Sequence, residues 1–128
     1  MIYFFKERVN LINIFTYSIG LILEKGTGMT VCPWAYLRHQ TMGFIGSRIR
    51  KLFEAGIPFC ICSDDAGYME NCFVLHDILL AKKICSFTDS DIAKIAKYGV
   101  QICWAPKPVK DEILKEIDDV CEKFYPKH

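Results

Sequence analysis

Cys60-Ile61-Cys62-Ser63-Asp64-Asp65-Ala66-Gly67 is the stretch that decides how this chain is read, because an apolar run leads straight into two adjacent carboxylates. Side chains alternate along a strand, so Cys60, Cys62 and Asp64 share one face while Ile61, Ser63 and Asp65 take the other until the chain turns. A short apolar run bounded by turn residues is expected of a buried parallel strand, here Ile57 to Ser63. Upstream, Met29 to Cys32 is a second such run, stopped by Pro33 at what reads as a loop. Between them, Phe44 to Glu54 has helical spacing, with Ile45, Ile49, Leu52 and Phe53 on the inner face and Gly56 as the left-handed cap. Strand, helix, turn and strand form a βαβ unit, for which a right-handed crossover is expected. Both strand ends then fall on one side of the sheet.

Farther along, Glu70 to Ile84 is apolar nearly all round, with Phe73, Val74, Leu75, Ile78, Leu79 and Leu80, and predicts a well-buried helix. Lys82 and Lys83 suit its C-terminal end. Thr88 with Asp91 has the pattern of a capping box and starts a helix through about Lys97, with Ile92, Ile95 and Ala96 inward. Pro108 near a first turn, followed by Val109, Ile113, Ile117, Val120 and Phe124 at helical spacing, predicts a long amphipathic helix with a charged outer face. At the other end, Val9 to Leu23 carries no charge but falls short of the roughly 20 residues needed to span a bilayer. Glu7, and the lack of a small-residue cleavage pattern before Glu24, argue against a signal peptide. Leu11, Ile12, Phe15, Ile19, Ile22 and Leu23 predict a buried amphipathic helix ended by Gly26-Thr27-Gly28, with a membrane anchor as the alternative. Without repeats, low-complexity tracts or linkers, residues 1–128 read as a single α/β domain.

With 52% hydrophobic and 24% charged residues the chain has the composition of a globular protein. Sixteen basic against fifteen acidic residues leave a formal charge of +1, and no block of like charge stands out, so the overall field neither favours nucleic acid nor excludes it. A small-molecule partner is expected, with no nucleic acid and no membrane. Seven cysteines make an odd count spread through apolar segments, which reads as reduced thiols in a cytoplasmic protein. A zinc site from Cys32, Cys60 and Cys62 is disfavoured, because Cys-x-Cys on a strand lacks the knuckle spacing of structural zinc sites.

Two readings compete for Asp64 and Asp65. An unpaired carboxylate buried at a strand end is costly and calls for hydrogen-bond donors or a divalent cation. Alternatively, the pair caps the helix that follows, a task Asp performs well. Spacing alone favours capping.

Together with Val31-Cys32-Pro33-Trp34 upstream, the helix through Ile49-Arg50-Lys51-Leu52-Phe53-Glu54-Ala55-Gly56-Ile57, and Tyr68-Met69-Glu70-Asn71 downstream, the Ser63-Asp64-Asp65 run resembles the C-terminal part of the adenosine/adenine deaminase family, within the metal-dependent amidohydrolase superfamily. The likeness extends from about Leu21 to Glu116. It implies a partial (β/α)8 TIM barrel, comprising the last strands and helices with extra C-terminal helices; a whole barrel takes about 250 residues. By matching position, Asp64 is implied as a zinc ligand and Asp65 as the residue that contacts the purine ring. The resemblance thus reverses the order of the two readings.

The implied reaction is hydrolytic deamination of adenosine, adenine or a related purine to inosine or the corresponding 6-oxo purine plus ammonia, a step of purine metabolism. Departures from the family pattern are Trp34-Ala35-Tyr36 where a Ser-Asn pair is frequent, Ala66 where Pro is common, and Ser47-Arg48 near an expected His-Pro. The family's His-x-His, its later zinc histidine, its glutamate proton donor and its water-orienting histidine find no counterpart in His39, His76 or His128. His39 is expected at the surface near the rim, and His76 packed within its helix. A catalytic zinc normally takes three protein ligands, so this chain by itself is expected to be a truncated, inactive deaminase. The competing reading is a short non-catalytic protein that covers its open sheet by self-association or with a complementing chain.

Overall fold

The computed structural model describes residues 17–38, 45–65, 67–68 and 73–125. Helix α1 is seen over residues 17–25, and the chain turns at Gly26, where the Gly26 and Thr27 N–H groups close back on Leu23 and Ile22. Strand β1 follows at Met29–Val31, then α2 at Pro33–Arg38, α3 at Ile45–Glu54 and β2 at Phe59–Ile61. Three longer helices complete the chain: α4 at Val74–Cys85, α5 at Asp89–Ile102 and α6 at Lys107–Phe124. The two strands pair in parallel with Met29 opposite Phe59, Thr30 opposite Cys60 and Val31 opposite Ile61, so the βαβ arrangement stands. Mostly helix around a small parallel sheet, the chain is an α/β unit.

Each local choice has a physical cause. Gly56 adopts φ 75°, a backbone that side chains resist, and ends α3 with Gly56 and Ile57 N–H groups returned to Phe53 and Leu52. Thr88 accepts the Asp91 N–H at 3.1 Å while Asp91 accepts the Thr88 N–H at 3.0 Å, which completes the capping box of α5. The two strands, α3, α4 and α5 meet at Val31, Ile49, Phe53, Phe59, Ala81, Cys85, Phe87 and Ile95. Phe53 and Phe87 contact edge to face at 5.1 Å, and the Arg50 guanidinium lies over both rings. α5 packs on β2, α4 on α3 and α2, and α6 on α5.

Several expectations change. Pro33 does not begin a loop: its fixed φ and missing N–H suit the first position of a helix, and α2 starts there. α4 is not buried all round. Asp77, Ala81 and Cys85 are buried, but Phe73, Val74, Leu75 and Leu79 are exposed, because α2 and α3 cover only one side of the helix. α5 continues past Lys97 to Ile102, with Ile95 buried and Ala96, one position round the helix, in solvent. α6 has no buried residue, and Val109, Ile113, Val120 and Phe124 stay largely open. Leu21 and Leu23 of α1 are likewise exposed rather than buried, and residues 9–16 of that expected helix lie outside the described residues. Among the described residues, no helix is long and apolar enough to cross a membrane.

Candidate functional site

β2 delivers the carboxylates. Cys60 and Cys62 share a face, with their sulfurs 3.4 Å apart, as strand alternation requires. The Cys62 N–H donates to the Val31 carbonyl at 2.9 Å, which extends the sheet contact just past β2. Ser63 is half-buried, and Asp64 and Asp65 emerge into solvent immediately after it. The Tyr68 N–H closes back on the Asp65 carbonyl at 2.9 Å. Helix α4 begins only at Val74 with Phe73 in the capping position and no side-chain cap, so neither aspartate caps it. The reading of the pair as a helix cap is therefore set aside.

Helix α2 forms one wall beside this turn. Pro33 and Ala35 are buried, and the Trp34 main-chain N–H donates to Asp77 Oδ1 at 2.8 Å. Tyr36, on the same helix, lies within electrostatic reach of Asp64. Burial pushes its phenol above the ordinary value, opposed by a hydrogen bond to the Cys32 backbone and reinforced by Cys32, Asp64 and Cys62. Cys62 is pushed up to about 11, first by burial and then by its hydrogen bond with Cys60. Asp77 went unnoticed in the sequence, although a single acid inside the apolar run Phe73 to Leu80 is itself a signal: such a residue is buried only with a donor to meet it.

The remaining expected site residues separate. His39 and His128 lie outside the described residues. His76 is exposed in the first turn of α4, with its ring 5.8 Å from the Phe73 ring, rather than packed within the helix as expected. Cys32, Cys60, Cys62, Cys85, Cys103 and Cys121 form no disulfide among the described residues. Among the described residues no group of three or more His, Cys, Asp or Glu side chains is arranged to hold a metal ion. Of the expected donors only Asp64 stands here, and a single carboxylate does not make a zinc site by itself. An apolar groove of about 360 Å³ between α5 and α6, lined by Ile92, Ile117, Val120 and Tyr125 among others, shares no residue with this region.

Comparison with known proteins gives the arrangement a family. The sequence model of the adenosine deaminase family matches residues 19–120, which holds β1, β2, Asp64, Asp65 and all of α5. The adenine deaminase of Aspergillus fumigatus is 29% identical over 103 residues, covering 80% of this chain and 29% of that protein. That of Emericella nidulans is 30% identical over 97 residues, covering 75% and 26%. Candida glabrata adenine deaminase matches at 26% identity over 136 residues, 94% of this chain and 38% of its own length. The chain thus spans under a third of the length of the first two relatives. No solved structure gives a significant match. With well over half of its residues matched in one continuous block, the chain belongs to the adenosine deaminase family.

Proposed function

We propose that this chain is a section of a zinc-dependent purine deaminase barrel, with β1 and β2, the two strands among its described residues, as neighbouring strands of a (β/α)8 barrel. Asp64 is the metal ligand in this reading and Asp65 contacts the purine ring. The reaction served is hydrolytic deamination of adenosine, adenine or a related purine, which yields the 6-oxo purine and ammonia. The observation that carries the reading is the position of Asp64 and Asp65: exposed just past the carboxyl end of a parallel strand, where neither caps α4. Barrel enzymes of this architecture build their sites at that end of the strands. Family membership supplies the reaction class, and the adenine deaminases among the relatives support a purine substrate.

The chain is inactive alone in this reading. One exposed carboxylate does not hold or orient a catalytic zinc, which normally takes three protein ligands. The exposed apolar residues Phe73, Val74, Leu75 and Leu79 on α4 fit a face that further strands and helices cover, supplied by more of the same polypeptide or by a complementing chain. The purified chain, mixed with zinc and either adenosine or adenine, is expected to release no ammonia. Release that disappears on Asp64→Ala substitution would overturn the inactivity and show the chain to be a catalyst in its own right. Conversely, an Asp64→Ala change without effect in a complete, active assembly would overturn the ligand assignment.

A further inference from the structure

Asp77 is the buried acidic side chain of the core, at 0% exposure, in a helix whose neighbouring positions are Ile78, Leu79, Leu80 and Ala81. Burying a carboxylate in such surroundings is costly unless donors meet it. One donor that meets it is the main-chain N–H of Trp34, 2.8 Å from Oδ1 and 43 positions away in sequence. Helix α2 begins at Pro33, which has no N–H, so Trp34 offers the first free donor of that helix. The residue before it, Cys32, is not a capping type, and the carboxylate that capping requires comes instead from α4. The Trp34 indole N–H is buried with no partner among the described residues, so the hold on α2 runs through its main chain.

We infer that Asp77 is a positioning residue: by latching the first turn of α2 to α4 it fixes where that helix holds Tyr36, within electrostatic reach of Asp64. A leucine would fill the same space without the cost of a buried acid, but it would leave the Trp34 N–H without its acceptor. The inference rests on the reading of Asp64 as a site residue.

The test compares Asp77→Leu with Asp77→Asn by amide hydrogen exchange, each also in a Trp104→Phe background that leaves Trp34 as the sole indole. Trp104 is fully exposed and its loss is expected to be silent. In Asp77→Leu the α2 amides exchange at least about tenfold faster while those of β2 and α5 keep their rates, and Trp34 emission moves to longer wavelength. Asp77→Asn retains an acceptor oxygen, so it keeps the original emission and shows a smaller increase, about threefold, confined to α2. Unchanged α2 exchange in Asp77→Leu, or equal loss in the two variants, overturns the latch. Should Asp77→Leu lose protection throughout, Asp77→Asn decides alone: an increase confined to α2 supports the latch, and a uniform increase or none overturns it. Neither readout involves deamination, so failure of the latch is separate from failure of the Asp64 assignment.

Discussion

Gly46 approaches Ile84 so closely that a Cβ placed on Gly46 would stand 2.1 Å from the Ile84 carbonyl oxygen. Only a residue without a side chain lets α3 lie this near α4. The contact is to backbone, which cannot swing aside as a side chain would, so Gly46→Ala is expected to destabilise the fold by about 1–3 kcal/mol, in the manner of an overpacked core. Gly20 in α1 has nothing within 4 Å, and Gly20→Ala is expected to be neutral or stabilising by up to about 1 kcal/mol. Urea midpoints of the two variants check both. Equal effects would mean that the α3–α4 approach is not tight.

Asp64 and Asp65 are exposed and do not cap α4, so Asp64→Ala and Asp65→Asn should each change stability by less than about 0.5 kcal/mol. Thermal unfolding tests this. A large loss in either variant would show a structural duty and weaken their assignment to chemistry.

Thr88 presents the opposite case. Its hydroxyl accepts the Asp91 N–H, and Thr88→Ala is expected to cost about 1 kcal/mol by the loss of this cap. Asp91→Ala removes the reciprocal bond and also the carboxylate that faces the Arg50 guanidinium at 3.5 Å, an ion pair near the surface that adds little. Denaturation of the single and double variants should show the two halves of the box acting together rather than additively.

Cys85 provides a dependence on pH. Burial raises its thiol from an ordinary 9.0 to about 11 in the folded chain, so folding favours the protonated form. The corresponding stability is fully present below pH 9.0 and is lost as pH rises through about 11. Urea midpoints measured from pH 8 to pH 11 should therefore fall more steeply for the parent chain than for Cys85→Ala. Parallel curves would show that the thiol does not titrate with folding.

Much of this arrangement is legible in the sequence wherever local chemistry decides it. Thr88 and Asp91 announce α5, Gly56 ends α3, and the apolar runs at Met29 and Ile57 become the paired strands. What escapes is set by neighbours. Pro33 serves equally as a stop and as a helix start, and the Asp77 carboxylate 43 residues away favours the second. The end of α4 is signalled by Lys82 and Lys83, but its left-handed turn at Ser86, φ 54° without a glycine, is not. The apolar character of Phe73, Leu75 and Leu79 says that these side chains want cover, not that this chain provides it. The carboxylate pair is similar: spacing favours a helix cap, and only the eight residues that separate Asp65 from α4 in the folded chain remove that role for α4.

The central claim is that Asp64 is a site residue of a purine deaminase. Its most direct test is a hybrid in which residues 19–120 replace the matched segment of the Aspergillus fumigatus adenine deaminase, with ammonia release from adenine and adenosine as the readout. A folded hybrid that releases ammonia, and loses at least about a hundredfold in rate on Asp64→Ala, is the predicted result, since loss of even an outer partner of a metal ligand costs about 10–100-fold. A folded hybrid that works equally well with Asp64→Ala, or fails with Asp64 in place, would contradict it.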